Sequence, residues 1–368
     1  MKSPIRTFHR SLLALLLLIL PFASQAKGPS DRVFCFYYNW YGTAAADGRD
    51  IHWAHGIIKQ APDDPDGVPI PGGDNISSSY YPQGGPYSSN DRAVIRRHMR
   101  QMAASRIGIV VLTWWKGSDS GLESIPAILD EADRAGLKVC FHIEPYPGRN
   151  ALSVRDDLRQ LTAAYGSHPA FFRIDGKPCY FIYDSYLTPA AEWAEVLQPD
   201  GRHSVRGTAD DAVLIGLWVK AGEEPFFAKA GFDGFYTFFG ATGFSYGSTP
   251  ANWPHMQQWA AEHDMVFVPC VSPGYIDTRI RPWNGATTRD REAGAYYDRM
   301  FGAAVACNPA YVGVATFNEW HEGTQIEPAV PFACEAYRYL DYAPHKPDHY
   351  LKRTAHWVSE LERQPARK

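Results

Sequence analysis

The chain has 368 residues, of which 45% are hydrophobic and 14% aromatic, enough apolar side chains for a large core. Acidic residues number 40 and basic residues 36, and the formal charge of −4 without a Lys/Arg cluster argues against nucleic acid as a partner. The 6 cysteines include no C-x-x-C pair, so the usual zinc spacing is absent. Cys307 and Cys334 are candidates for a disulfide in an oxidising compartment, and the sequence leaves that pairing open.

The N-terminal segment, residues 1–26, has the pattern of a secretory signal peptide. Basic residues precede the apolar run Leu12 to Phe22, and small residues offer a cleavage site before Lys27. The run is about half the ~20 residues that a membrane-spanning helix needs. We therefore predict export to the periplasm or beyond the cell, no stable membrane span after cleavage, and one catalytic domain over residues 27–368.

Downstream of the leader, short apolar runs alternate with amphipathic stretches. The apolar runs predict eight strands: Val33–Tyr38, Gly108–Trp115, Lys138–Glu144, Cys179–Asp184, Val213–Val219, Gly234–Phe239, Met265–Cys270 and Tyr311–Phe317. The amphipathic stretches predict helices: Asp91–Ser105, Leu122–Ala135, Leu152–Tyr165, Pro189–Val196, Glu223–Ala230, Trp253–Glu262, Arg289–Cys307 and Tyr350–Glu362. This alternation indicates an α/β fold, a single (β/α)8 TIM barrel. An open doubly wound sheet is the alternative, although no G-x-G-x-x-G follows a strand.

Such a barrel carries its functional residues at the carboxyl ends of the strands. Aromatic and carboxylate side chains do cluster at the predicted strand ends. Long loops, Gly42–Asn90 after the first strand and Ser272–Thr288 after the seventh, are rich in polar and aromatic residues. We expect these loops to form one rim, with a cleft for an extended ligand.

The last predicted strand runs into the sequence Thr316 to Glu327, which reads TFNEWHEGTQIE. Glycoside cleavage needs a protonated carboxylic acid for the leaving oxygen and a second carboxylate as base or nucleophile. Glu319 and Glu322 can supply both, and a helical turn after Phe317 would place them on one face. Two close carboxylates would raise the pKa of one of them, as a general acid requires. A helix cap or an ion pair with arginine is the structural alternative.

Other ionisable residues near strand ends are weaker candidates for a functional role. Glu144 is a candidate for accepting a sugar hydroxyl or tuning a pKa, and an ion pair with Arg149 is an equal alternative. His142 would point to the same face of its strand, where a hydrogen-bonded structural role is the common one. His321 has no second histidine at H-E-x-x-H spacing, so we predict no metal there and no cofactor.

A competing motif occurs at Gly243-Phe244-Ser245-Tyr246-Gly247, which matches the G-x-S-x-G nucleophile elbow of esterases. An elbow needs a sharp strand-to-helix turn at the serine. Here residues 240–243 separate the serine from the strand, and several more precede the next helix. We therefore predict that this segment is a loop.

The block Phe317 to Glu327 strongly resembles glycoside hydrolase family 99, the endo-α-mannosidases and endo-α-mannanases. Further similar blocks lie in order along the mature chain: residues 36–42, 142–146, 183–186, 231–236, 273–278 and 280–284. The resemblance implies a (β/α)8 barrel and retaining hydrolysis inside a mannose chain. It implies that Glu319 deprotonates the substrate 2-hydroxyl, whose oxygen then attacks its own anomeric carbon. Glu322 would protonate the leaving oxygen and later activate water against the 1,2-anhydro sugar.

The resemblance also gives candidates for contact with α-mannan or a mannose-rich oligosaccharide. They are Tyr38, Trp115, His142, Glu144, Tyr183, Tyr236, Tyr275, Trp283, Asn318 and Trp320. The sequence does not decide whether glucose or mannose precedes the cleaved bond. Alternatives are another endo-α-glycanase, such as an α-1,3-glucanase, and a carbohydrate-binding barrel without catalysis, which would have no need for a proton donor.

Overall fold

A computed structural model describes residues 28–118 and 120–365, so the predicted signal peptide lies outside the described residues. The strands are β1 Ser30–Tyr37, β2 Ile107–Trp114, β3 Lys138–Ile143, β4 Arg173–Ile174, β5 Lys177–Ile182, β6 Val213–Leu217, β7 Gly234–Tyr236, β8 Val266–Val268, β9 Cys270–Val271 and β10 Val312–Val314. The α-helices are α1 Ala44–Asp47, α2 Arg92–Ala104, α3 Ile125–Arg134, α4 Ala151–Tyr165, α5 Ala190–Leu197, α6 Glu224–Ala230, α7 Trp253–Glu262, α8 Ala295–Ala306 and α9 His349–Leu361. Within these described ranges, no helix is long and apolar enough to cross a membrane.

The parallel strands form a barrel rather than the alternative open sheet. Hydrogen-bonded neighbours follow the order β8-β7-β6-β5-β3-β2-β1-β10-β9, with β4 attached antiparallel to β5. Only Pro269 separates β8 from β9, so these two segments act as one barrel strand and join the ends of the order. Proline has no N–H for the ladder, but its carbonyl accepts a 3.0 Å hydrogen bond from the N–H of Gly313. The predicted (β/α)8 barrel is confirmed.

The barrel interior is filled by aromatic side chains from several strands. Phe36 of β1 contacts His142 of β3, Phe181 of β5 and Tyr236 of β7 at ring-centroid distances of 5.0, 5.5 and 5.7 Å. All eight residues of β2 are buried, because one face of the strand points into this interior and the other packs against helices. The buried interior gives the strand ends above it a rigid base.

Two predicted elements differ from the observed ones near the functional rim. The helix predicted over Arg289–Cys307 begins only at Ala295, because Gly294 has a φ of 99° that a right-handed helix cannot contain. The strand predicted over Tyr311–Phe317 is shorter and covers Val312–Val314, although the N–H groups of Ala315 and Phe317 still donate to Val271 O and Phe36 O at 2.8 Å. Cys307 and Cys334 are both free thiols, so the candidate disulfide is not formed.

The two long loops contact each other above the barrel. The N–H of Ile58 donates to Ile280 O at 2.7 Å, and the Arg279 guanidinium donates to Asn75 and Ile76 at 2.6 and 2.9 Å. In addition, the Trp283 indole donates to Ile58 O at 2.9 Å. These contacts join the loops into the continuous rim that the sequence predicted.

Candidate active site

The segment after β10 is folded back on itself by its own polar groups. The Thr316 hydroxyl accepts a 2.8 Å hydrogen bond from the Glu319 N–H and lies 3.1 Å from the Thr324 hydroxyl. The N–H groups of Ile326 and Glu327 both donate to Phe317 O, at 3.1 and 2.9 Å. These bonds satisfy a backbone that has left the sheet, and they fix residues 316–327 as one compact unit, the motif loop.

Residues 317–327 contain no helical turn, in contrast to the prediction. Residues 320–323 form a tight turn instead, closed by a 3.3 Å bond from the Gly323 N–H to Trp320 O. Gly323 has a φ of 61°, a left-handed conformation that favours glycine. The turn still keeps the two carboxyl groups close enough to interact. After burial, the charge of Glu322 is the largest cause of the raised pKa of Glu319.

Replacing Gly323 with Ala should destabilise the motif loop. A Cβ at this position would lie 2.5 Å from Ile276 Cγ2, in addition to the left-handed strain. We expect the free energy of unfolding to fall by about 1–3 kcal/mol, measured by chemical denaturation. Gly56→Ala is the matched control, because a Cβ there meets nothing within 4 Å. A stability loss no larger than that of the control would contradict the tight approach to Ile276.

The two carboxyl groups share an environment that opposes double ionisation. Glu319 is only 3% exposed, and burial, followed by the charge of Glu322, raises its pKa well above the usual range. Burial also raises the pKa of Glu322, with the charge of Asp277 acting in the same direction. Such a pair titrates as a unit. It is suited to keep one proton, leaving one carboxylic acid and one carboxylate.

Each member of the pair has its own polar partners. Arg281 lies 3.3 Å from Glu322 Oε1 and 3.1 Å from Asp277 Oδ2, and this cation stabilises the charged form of Glu322. Glu319 accepts a 3.0 Å bond from the backbone N–H of His321. That bond favours the charged form of Glu319, but burial opposes it, and the direct contact with Arg281 belongs to Glu322. We therefore expect the charge on Glu322 and the proton on Glu319 in the free site.

The loop after β9 is organised around buried Asp277. Its Oδ2 accepts hydrogen bonds from the Tyr275 hydroxyl at 3.0 Å, from Arg281 at 3.1 Å and from the Asn284 amide at 2.9 Å. The backbone N–H of Ile276 donates to Glu322 O at 2.8 Å. The loop therefore fixes both the backbone and the counter-ion of Glu322.

A third carboxylate, Glu144, acts on the same tyrosine as the pair. Burial, followed by the charges of Glu144, Glu319 and Glu322, raises the pKa of the Tyr38 hydroxyl well above its usual value. Glu144 Oε1 lies 2.9 Å from Nδ1 of His142. Glu144 therefore contacts His142 at the end of β3 and does not form the alternative ion pair with Arg149. The Arg149 guanidinium instead donates to the backbone carbonyls of Ile143 and Asp184.

Aromatic rings line the side of the site next to Glu319. Trp40 stacks on His52 at 4.1 Å and lies 5.7 Å from both Trp115 and His321. His321 Nε2 is 2.6 Å from His52 O, so this nitrogen carries the hydrogen and Nδ1, 3.5 Å from Glu319 Oε1, is unprotonated. Burial lowers the pKa of His321 well below its usual value, which keeps the ring neutral.

A cavity of about 260 Å³ opens on the side next to Glu322. Its lining residues are Tyr183, Phe239, Ala241, Phe244, Tyr275, Arg281, Trp283, Asn284, Thr287 and Glu322. A larger cavity of about 780 Å³ lies between α2 and α9, on the flank of the barrel and away from the carboxylates. The smaller cavity is lined by Glu322, one of the two paired carboxyl groups, so it marks the candidate site.

The predicted site residues fall into three sets. Tyr183, Tyr275 and Trp283 line the cavity. Trp115 lies on the aromatic side, and Tyr38 and Glu144 interact electrostatically with the carboxyl pair. The remaining residues lie beneath the site with their polar atoms engaged by protein.

Those supporting residues join the strand ends together. The Asn318 amide donates to Tyr38 O and accepts from Tyr38 N–H, both at 2.8 Å, which ties the motif loop to the end of β1. The Trp320 indole donates to Glu327 at 3.0 Å, and His142 Nε2 lies 2.6 Å from the Tyr236 hydroxyl. The four supporting residues are 0% exposed, so we assign them positioning roles: Asn318, Trp320, His142 and Tyr236.

Some site residues were missed by sequence reasoning. Arg281 and Asp277 belong to a loop that the sequence singled out, but nothing in the sequence connects them to Glu322. Phe244 was passed over within the G-x-S-x-G pattern. Its neighbour Ser245 exchanges 2.9 Å bonds with Ser248, and within the described part of the chain its hydroxyl has no histidine partner to act as the base of an esterase reaction.

The site holds two carboxyl groups at the carboxyl face of a barrel, with aromatic rings around them. One can protonate a glycosidic oxygen while the other acts as base or nucleophile. This is the chemistry of a glycoside hydrolase. Comparison with known proteins gives the same class: the family model described as Glycosyl hydrolase family 99 matches residues 29–363. The chain belongs to glycosyl hydrolase family 99.

Relatives and solved structures agree with this membership. The chain is 43% identical over 358 residues to the glycoprotein endo-alpha-1,2-mannosidase-like protein of Danio rerio, with 92% of this chain and 81% of that protein covered. It is 42% identical over 348 residues to the glycoprotein endo-alpha-1,2-mannosidase of Rattus norvegicus, with 90% and 75% covered. The structure of the GH99 endo-alpha-mannosidase from Bacteroides thetaiotaomicron is similar with a TM-score of 0.89 and 51% identity, covering 92% of this chain and 99% of that one.

Proposed function

We propose that this enzyme is an endo-acting α-mannosidase that hydrolyses internal α-1,2-mannosidic bonds with net retention. The observation that carries the proposal is the Glu319/Glu322 pair, a buried and a partly exposed carboxyl group that both have a raised pKa at the carboxyl face of the barrel. The relatives that share this fold and sequence are described as endo-alpha-1,2-mannosidases, which supports a mannose-chain substrate.

The proposed reaction proceeds through the 2-hydroxyl of the reacting mannose. Glu319 takes the hydroxyl proton, O2 attacks C1, and the C1–O bond breaks as Glu322 gives its proton to the leaving oxygen. A 1,2-anhydro sugar results. Glu322 then takes a proton from water, the water oxygen attacks C1, and Glu319 returns its proton to O2. Two inversions at C1 give retention, and an axial 2-hydroxyl is well placed to take part.

The reaction needs the proton on Glu322 at the start, whereas the contacts of the free site favour it on Glu319. A substrate oxygen that accepts a hydrogen bond from Arg281 would weaken the contact between Arg281 and Glu322. Loss of this stabilisation moves the shared proton toward Glu322. Substrate binding thus prepares the acid, and Arg281 controls its pKa.

Arg281→Met should shift the pH dependence of the enzyme. Because the guanidinium stabilises the charged form of Glu322, its removal raises the pKa of that carboxyl. A general acid with a raised pKa stays protonated to higher pH, so the alkaline limb of kcat/KM should move upward. Arg202→Met, at an arginine whose side chain is 80% exposed, should leave the limb in place. A limb that stays fixed or moves to lower pH would contradict the role of Arg281.

The proposal is tested by a proton NMR time course on α-mannan beside α-1,3-glucan. We expect oligosaccharides from mannan, released first as the α-anomer. Release of the β-anomer first would mean inversion and would exclude the anhydro-sugar route. Cleavage of glucan alone would favour the other endo-α-glycanase, and binding without turnover on either would favour a carbohydrate-binding barrel.

We also propose that the protein is exported, on the strength of the N-terminal pattern alone. Expression of the full chain should yield a product that begins at Lys27 in the periplasm or the medium. Recovery of uncleaved chain in the cytoplasm would contradict export. The proposed mannan substrate would then have to be met inside the cell.

A further inference from the structure

Helix α2 carries a cluster of arginines, although the chain as a whole has a formal charge of −4. The helix reads RAVIRRHMRQMAA, with four arginines and no acidic residue. The prediction from the sequence that the chain lacks a Lys/Arg cluster is therefore wrong for this helix. A local excess of positive charge on an acidic protein indicates a place where an anion can bind.

The four arginines differ in their partners. Arg92 and Arg96 form ion pairs with Glu131 of α3 at 2.7 and 3.0 Å, so their charge is balanced within the protein. Arg97 and Arg100 are both exposed. Among the residues that the structure describes, their guanidinium groups have no hydrogen-bond or ion-pair partner. These two cations are therefore available to an anion from outside.

Both unpaired arginines line the cavity of about 780 Å³ between α2 and α9. Lys352 lines it from α9 and adds a third cation, which pairs with Asp348 at 2.6 Å. The volume lies within the range of roughly 300–1,000 Å³ that ligand pockets have. This cavity shares no lining residue with the smaller one at Glu322. A ligand bound here would leave the catalytic carboxyl groups accessible.

The lining disfavours three kinds of ligand. The described residues that form it include no aromatic side chain, so a neutral pyranose or a nucleobase would find no ring on which to stack. Leu351, the largest aliphatic side chain of the lining, is only 9% exposed. The lining therefore offers little apolar surface to the large anchor residues on which a protein partner depends. What remains is the charge of the arginines.

The arrangement of the arginines suits an extended chain of anions. Arg97 and Arg100 are three residues apart, which places them on one face of α2 at about 4.5 Å along its axis. The lining follows α2 from Ala93 to Ala104, a length of about 16 Å. A guanidinium group can bind a carboxylate with two parallel hydrogen bonds. A chain with one carboxylate on each unit can therefore contact both arginines in succession.

We propose that the cavity between α2 and α9 is a binding site for an acidic polysaccharide whose sugar units carry carboxylate groups. Arg97 and Arg100 bind successive carboxylates. The site lies on the flank of the barrel, so it holds the enzyme on an acidic matrix while the cleft at the carboxyl face stays open to its own substrate. The proposal does not depend on the proposed function, because no catalytic residue takes part.

The test measures binding of polygalacturonate to the intact enzyme by calorimetry. We expect binding whose affinity falls as the ionic strength rises, because salt screens exposed charges. Fully methyl-esterified polygalacturonate has the same sugar backbone without the charges, and it should not bind. Arg97→Met combined with Arg100→Met should lower the affinity for polygalacturonate about tenfold or more, the effect of losing charge-assisted hydrogen bonds.

A matched double variant separates the site from the net charge of the protein. Arg155→Met combined with Arg159→Met removes the same two charges from α4, where Asp156 and Asp210 pair with these arginines at 2.9 and 2.7 Å. This variant should bind polygalacturonate as the wild type does. Arg97→Lys combined with Arg100→Lys keeps both charges and should retain more affinity than the methionine pair. Equal thermal unfolding midpoints of the variants would exclude a loss of fold.

Several results would overturn the proposal. They are absence of binding at low salt, equal binding of the esterified polymer, and equal losses in the variants of α2 and α4. Tighter binding of poly-L-glutamate would replace the polysaccharide with an acidic protein, and tighter binding of single-stranded DNA would replace it with nucleic acid. The readout is binding alone, so its result is separate from that of the α-mannan experiment.

Discussion

Glu322→Gln should reduce kcat on mannose oligosaccharides by about 10²–10⁴-fold, the usual contribution of a general acid. Glutamine has nearly the same shape and can still bond Arg281, so the cavity and its loop should persist. It cannot give a proton to the leaving oxygen or take one from water. Binding of the oligosaccharide, measured by calorimetry, should therefore change far less than turnover.

The leaving group provides an internal control for this variant. Fluoride departs with less help from an acid than a sugar oxygen does, so the deficit should be smaller on the corresponding glycosyl fluoride, which has no leaving sugar. Glu335→Gln, at an exposed carboxylate shortly after the motif loop, should have no effect. Turnover of the oligosaccharide within tenfold of wild type would remove Glu322 from the acid role.

Glu319→Gln should give a loss of similar size, about 10²–10⁴-fold, but on both substrates. The proposed attack by O2 on C1 requires a base for the 2-hydroxyl whatever group leaves. The variant should therefore fail on the fluoride and on the oligosaccharide alike. This contrast with Glu322→Gln distinguishes the roles of the two carboxyl groups, both of which have a raised pKa.

The substrate offers an independent check on Glu319. A mannoside methylated at O2 of the reacting sugar has no proton for the base, and its oxygen is a poor nucleophile. The wild-type enzyme should leave it uncleaved while hydrolysing the unmodified compound. Cleavage of the methylated substrate would mean that O2 takes no part, and Glu319 would need another role.

The positions of both carboxylates depend on a shared support beneath the motif loop. Arg291 donates at 2.8 Å to the carbonyls of Gly323 and Gln325, while its guanidinium lies 4.5–4.8 Å from the rings of three tyrosines. Glu327 lies 2.9 Å from His98 and accepts from Trp320 at 3.0 Å. A site that requires precise placement of two acids is thus held by buried charged and hydrogen-bonded groups on rigid elements.

The sequence by itself determined the barrel and the location of its chemistry. Apolar runs of strand length alternating with amphipathic helices specify parallel strands covered by helices, because both faces of each strand must be buried. The barrel rule then places the residues after Val314, including Glu319 and Glu322, at the functional face. Both inferences use only local patterns and a general property of the fold.

The tertiary structure alone decided which side chains meet. The contact of Arg281 with Glu322 and the hydrogen bonds between Tyr38 and Asn318 join segments far apart in the sequence. Closure of the barrel across Pro269 likewise depends on strands distant in the chain. Hydrophobic periodicity specifies burial but not partners. The proton balance of the two carboxyl groups therefore depends on contacts, such as that of Arg281 with Glu322, that form only when the loops fold over the barrel.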